Sequence, residues 1–235
     1  MTFDSSAPLV LPGVLGGAAC LWLRRRSPPT WLRGVILVAL VGSELVVMLW
    51  PIEIHQWAAA STLPLQLSDI TTIVCAVSLV LPRMRWFVEL AYLWSIPAGL
   101  LGLSFPAIGA SAPSPLFYAF YVDHGTLLFY GLLLLFDRSL RLGAPSIGRA
   151  CAATVIWAMV AGVANLATGG DYMFLREPPP TWSPLLLMGP WPWYVFSSVG
   201  VALVVFIALA WPKLGHGDQH PNPVLQAVPS SADSK

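Results

Sequence analysis

Seven long apolar stretches, separated by short polar loops, constrain this chain more than any other feature of it. They run over 7–23, 33–52, 63–81, 86–104, 114–136, 147–168 and 190–212. Each is about long enough to cross a hydrocarbon core of roughly 30 Å as a helix, the first only marginally. Helices are required because backbone polar groups in lipid must be satisfied within their own segment. Composition agrees: 57% of the 235 residues are hydrophobic and 10% charged, where a soluble domain carries about 25% charged residues. The expected fold class is all-α, a polytopic transmembrane bundle of seven helices over 1–212. A polar, proline-containing segment over 213–235 reads as a disordered cytoplasmic tail.

Positive charge orients such a bundle. Arg24, Arg25, Arg26 and Arg33 fall between spans one and two, Arg83 and Arg85 between three and four, and Arg138, Arg141 and Arg149 between five and six. Lys213 and Lys235 follow span seven, and Arg176 alone lies on the other side. The alternation predicts a cytoplasmic C-terminus and, for seven spans, an N-terminus outside. Trp191, Trp193 and Tyr194 begin span seven as an outer interfacial belt would. The first apolar stretch has its arginines after it rather than before it, the reverse of a cleavable signal peptide. The expected location is a cell membrane, multi-pass, of the bacterial plasma-membrane kind. A net charge of +1 gives no electrostatic reason for a nucleic-acid partner. Cys20, Cys75 and Cys151 show no metal-ligand spacing, and His216 and His220 sit in the solvated tail, so no metal and no cofactor is expected.

Against this background the ionisable groups inside spans stand out, because each costs several kcal/mol in lipid and is a functional hypothesis by default. They are Glu44 in span two, Asp69 in span three, and Asp123 with His124 in span five. Glu89, near the cytoplasmic end of span four, is expected to pair with Arg85 at i,i+4. Gln66, Ser68, Thr71 and Thr72 add weaker polarity in span three, and Asn165 does so near the outer end of span six. The outer loop after it carries Asp171, Tyr172, Arg176 and Glu177. With the orientation above, Gln66, Ser68, Asp69 and Asn165 lie near the outer surface and Glu44, Asp123 and His124 near mid-membrane or slightly outward, so that these groups could line one polar cavity in the outer half of the membrane.

A hydroxyl becomes a useful nucleophile when a neighbouring base takes its proton, and histidine is the usual base near neutral pH. Ser68, Thr71 or Thr72 could serve as nucleophile and His124 as base. Asp123, Asp69 or Glu44 could orient the base. Asp123 and His124 are adjacent on a helix and so point about 100° apart, which argues against a direct pair. The neutral amides of Gln66 and Asn165 suit an oxyanion. The same residues also suit a non-enzymatic binder or carrier of a lipid or small polar solute, with Asp69 or Glu44 exchanging protons, or a subunit whose polar groups join helices.

Three segments carry a resemblance: LPLQLSDI (63–70), DHG (123–125), and NLATGGDYMFLREPP (165–179) followed by GPWPWY (189–194). In that order they resemble the YwaF-like family of bacterial integral membrane proteins, and ELAYLW (89–94) fits its fourth span. A eukaryotic relative of that family is similar to a phospholipid O-acyltransferase that uses an intramembrane cysteine and a histidine. More distantly, the androgen-induced class of lipid hydrolases uses threonine and histidine. The resemblance places Ser68 at the cysteine position and His124 at the histidine position. It implies a lipid-directed acyltransferase or hydrolase, with Ser68, His124 and Asp69 catalytic. Gln66, Glu44, Asp123, Asn165, Asp171 and Tyr172 would then surround the substrate. Two departures stand: SFPAI (104–108) and SPLLLMGP (183–190) each lack an acidic residue that the family pattern has.

Overall fold

The computed structural model describes residues 30–214, together with Gly13, Gly16, Gly17 and Ala19. Those four are helical, and Gly16 is buried against Phe129. The rest of the expected first span and nearly all of the expected tail lie outside the described residues. The described chain is all-helical: α1 Thr30–Glu53, α2 Leu67–Val80, α3 Arg85–Ser104, α4 Pro115–Phe136, α5 Ala144–Thr168 and α6 Trp193–Ala210, with short 3-10 turns between and after them. Five of these are long and apolar enough to cross a membrane. The large apolar side chains they leave exposed, such as Val38, Leu49, Val163, Leu166, Phe196 and Val204, form the surface expected of helices solvated by lipid.

The central element is α3. From Leu90 to Ser95 every side chain is buried, so no face of this helix is left for lipid over nearly two turns. It packs antiparallel on α4 through glycines. A Cβ at Gly99 would meet the Leu128 backbone nitrogen at 2.6 Å, and one at Gly131 would meet Ser95 Oγ at 2.5 Å. Small residues let two backbones approach closely where hydrophobic association offers little driving force. Side-chain bonds then tie α3 to the periphery: Trp94 Nε1 donates to Thr154 Oγ1 at 3.0 Å, and Tyr92 OH to the Leu209 carbonyl at 2.9 Å.

The described cations sort by end. Arg33, Arg83, Arg85, Arg138, Arg141, Arg149 and Lys213 collect at one end of the bundle, and Arg176 lies at the other. At the arginine end Glu89 pairs with Arg149 of α5, not with Arg85. The expected intrahelical pair was a weak surface interaction. The observed one joins two helices at a carboxylate that is only 8% exposed.

One expectation of length is corrected. The third apolar stretch yields only 14 helical residues, about 21 Å of rise, which is short of a hydrocarbon core. Pro64 and the capping of Gln66 explain the late start. The Asp69 carboxylate accepts from the Gln66 backbone N–H at 2.9 Å, closing the first turn one residue before Leu67. Irregular backbone at membrane depth is tolerated only where protein or a wet cavity satisfies it. Here every N–H from Ser61 to Gln66 has a partner: Ser61 and Thr62 donate to the Ala58 carbonyl, Leu63 to Tyr172 OH, Leu65 to the Leu63 carbonyl and Gln66 to Asp69.

Candidate functional site

The short α2 leaves room at the end of the bundle opposite the arginines. A cavity of about 170 Å³ lies there, lined by Glu44, Val47 and Met48 of α1, by Ser61, Thr62 and Gln66, by Asp69 of α2 and by Leu116 of α4. Glu44 Oε1 is buried and has no hydrogen-bond partner. Asp69 is bonded on both oxygens, to the Gln66 N–H and, at 3.3 Å, to the Ser68 hydroxyl.

One turn deeper, three helices converge on Asp123. Thr72 of α2 donates to its Oδ1 at 2.8 Å, and Ser43 of α1 reaches the same oxygen at 3.4 Å while also donating to the Ala39 carbonyl. Thr72 lies three residues after Asp69 and Ser43 one before Glu44, so each hydroxyl adjoins a cavity carboxylate on its own helix. The other oxygen, Oδ2, lies 3.5 Å from His124 Nδ1. Adjacent positions on α4 do therefore come together. The two side chains lean toward each other across the 100° that separates them, and both are buried.

His124 is held on three sides. Its Nδ1 lies 3.0 Å from the Phe120 carbonyl, its ring stacks on Phe120 at 4.1 Å between centroids, and its far edge lies against Gly102 of α3. A carbonyl can only accept, so the Nδ1 contact assigns the proton to Nδ1 and leaves Nε2 with its lone pair. A Cβ at Gly102 would overlap Cδ2 and approach Nε2 to 2.5 Å, so this edge of the ring fits only against glycine.

The remaining candidates build a strap over the cavity. Asn165 makes two bonds to Tyr172: its Nδ2 donates to the carbonyl at 3.0 Å, and its Oδ1 accepts from the N–H at 2.7 Å. Tyr172 OH donates to the Ala59 carbonyl at 2.7 Å and accepts from the Leu63 N–H. Burial pushes the Tyr172 phenol above its ordinary pKa, which keeps it a neutral donor. Gln66 Oε1 accepts from the Met173 N–H at 2.8 Å, and Asp171 accepts from the N–H groups of Arg176 and Glu177. These bonds fix two non-glycine residues, Met173 at φ 58° and Phe174 at φ 53°, in the left-handed region, a conformation that persists only where its surroundings over-determine it.

Glu44, Gln66 and Asp69 are thus gathered on the cavity, with Ser68 bonded to Asp69. Asp123 and His124 form a buried pair beneath it, and Asn165, Asp171 and Tyr172 hold the strap. Among the described residues Ser68 has no hydrogen bond to His124. Thr71 donates back to the Leu67 carbonyl, as Ser and Thr in apolar helices commonly do. Three contributors escape the sequence reading. Ser43 looks like an ordinary serine in an apolar span. Phe120 and Gly102 act through a carbonyl and through the absence of a side chain, neither of which a single sequence advertises.

No curated protein and no solved structure matches the chain. A family model does: the description of the TMEM164 family, a family of membrane proteins, matches residues 5–210. That match covers most of the chain, and the chain belongs to the TMEM164 family.

Proposed function

We propose that this protein is an intramembrane lipid-directed acyltransferase or hydrolase, close to the YwaF-like bacterial branch its motifs resemble. Ser68 is the nucleophile, His124 the base and Asp69 the positioning carboxylate. The observation that supports this reading is the state of His124. It is buried at membrane depth with Nδ1 on the Phe120 carbonyl, Asp123 beside it and the lone pair of Nε2 on the ring edge that lies against Gly102. Ser68 and Thr72 are four residues apart and share a face of α2, so Ser68 sits about 6 Å along the helix from the hydroxyl that touches Asp123. In the reaction a hydroxyl oxygen attacks the carbonyl carbon of a fatty ester while Nε2 takes its proton. The lipid alkoxide then leaves with that proton, and water or a second lipid hydroxyl releases the acyl group. Glu44, Gln66 and Asp123 border the substrate, and Asn165, Asp171 and Tyr172 hold the wall that faces it. The orientation is that of the charge pattern, with the strap outside, the arginine end cytoplasmic and seven spans in a bacterial plasma membrane.

The trapping experiment uses purified protein in vesicles of phospholipid with isotope-labelled acyl chains, quenched in acid and digested. An acyl adduct on the Ser68 peptide, absent in His124→Ala, is the expected result. An adduct on Thr72 would move the nucleophile one turn, and no adduct on any hydroxyl of α2 counts against covalent catalysis. A second reading, a non-enzymatic binder or carrier of a lipid or small polar solute, is favoured by the lack of a hydrogen bond between Ser68 and His124. It predicts retention of a ligand with no change in acyl composition.

A further inference from the structure

Toward the arginine end, α1 and α2 do not close on one another. They leave a groove of about 670 Å³ whose described lining is wholly apolar, with Leu37, Val41 and Leu45 on α1, Ala76 and Val80 on α2, and Leu81 just beyond it. Gly42, which also lines it, shows why it stays open. A Cβ at Gly99 or Gly131 would strike the facing helix, whereas one at Gly42 meets no described atom within 4 Å. Small residues in membrane helices commonly bring two backbones together; this one leaves a gap. Val38, Leu45, Val80 and Leu81 are among the exposed large apolar side chains, so the groove is continuous with the surface that lipid covers.

The end of this groove is positively charged. Leu37, Val41 and Leu45 repeat every four residues, and Arg33 continues the row one turn further, where it donates to the Leu79 carbonyl at 2.9 Å. After Leu81 the chain turns at once, the Met84 N–H donating to the Leu81 carbonyl at 3.0 Å, which keeps Arg83 within that turn. Arg85 then opens α3, and both arginines are exposed. No Asp or Glu occurs over 30–43 or 70–88, and Glu89, the next along the chain, is paired with Arg149. Trp31 and Trp86, exposed at this end, mark the head-group level. From Leu37 to Leu45 the groove runs about 12 Å, close to the roughly 15 Å that one leaflet gives to a hydrocarbon core.

We propose that the α1–α2 groove is a binding site for an anionic phospholipid of the leaflet at the arginine end, one acyl chain lying in the groove and the phosphate resting on Arg83 and Arg85. Basic pockets between membrane helices hold anionic head groups in this way, and a guanidinium matches a phosphate bidentately. A zwitterionic lipid brings the same chain but adds a cation that the arginines repel. The chain supplies the packing that Gly42 and Ala76 leave out and braces the short α2 against α1. The site is separate from the Glu44 and Asp69 cavity and does not depend on the chemistry proposed for Ser68 and His124.

The test places the full chain in phosphatidylcholine nanodiscs with a trace of phosphatidylglycerol that carries a diazirine at the end of one acyl chain. After irradiation, adducts are mapped by peptide mass spectrometry. Val163 and Leu166, exposed on α5, report ordinary contact with surrounding lipid. The expected result is labelling concentrated on 37–45 and 76–81 over these two positions, and no such preference with a phosphatidylcholine probe of the same chain. Gly42→Phe fills the groove from a position with open space around it and is expected to abolish the preference. Arg83→Gln/Arg85→Gln is expected to weaken it by about fivefold for each arginine removed. Should Gly42→Phe not fold, Ala76→Phe carries the same expectation. Equal labelling of the groove and α5 would mean surrounding lipid only and overturns the site, as does equal labelling by the two head groups. Absence of groove adducts, the outcome if another segment of the chain or a second copy fills the groove, overturns it as well.

Discussion

At the scale of single residues, the site depends on what surrounds His124 as much as on the histidine. Gly102→Ala places a methyl group inside the ring's volume, so the ring turns or the two helices part. A loss of lipid chemistry comparable to that of His124→Ala is expected, together with a moved His124 ring signal. An unmoved signal would show that the glycine is replaceable. The polar residues were legible in the sequence because lipid makes each of them expensive: Glu44, Asp69, Asp123 and His124 could be named from their types and depths alone. Their partners were not legible. Helix neighbours decide that Thr72, rather than Ser68 or Thr71, reaches Asp123, and one chain read alone gives no interhelical register.

At the scale of elements, α2 and the strap make one unit. The helix starts late, the Ser61–Gln66 segment enters the bundle, and Tyr172 satisfies it from above. Removing the phenol hydroxyl in Tyr172→Phe strands the Leu63 N–H and the Ala59 carbonyl. A destabilisation of about 1–3 kcal/mol is expected for a buried donor left without an acceptor, read as a lower midpoint of thermal unfolding in detergent. Little or no shift would mean that water replaces the phenol. Asn165→Ala removes two bonds to Tyr172 and is expected to cost at least as much. The long spans were plain in the sequence because apolar length and arginine spacing report them directly. The short third helix was not, because Leu63, Pro64 and Leu65 are as apolar as a span while folding as a capped turn.

At the scale of the whole molecule, the bundle concentrates its polar groups toward the strap end and its cations at the other. With the strap outside, a cysteine at exposed Ser111 should react with a membrane-impermeant maleimide on intact cells. One at exposed Arg138 should react only after the membrane is opened. The reverse pattern would invert the orientation and move the site to the inner leaflet. The class of fold could be read from apolar length, and the polar residues that cluster at the strap end from their charge within apolar spans. The chemistry could not, since a buried His–Asp pair beside hydroxyls serves catalysis and binding alike. The measurement that separates them most directly is lipid mass spectrometry on membranes containing the wild-type protein, against membranes containing a folded His124→Ala variant. Acyl species formed or consumed with the wild type alone are the expected result. Indistinguishable lipid profiles, with both proteins folded and supplied with phospholipid, would contradict an intramembrane lipid enzyme.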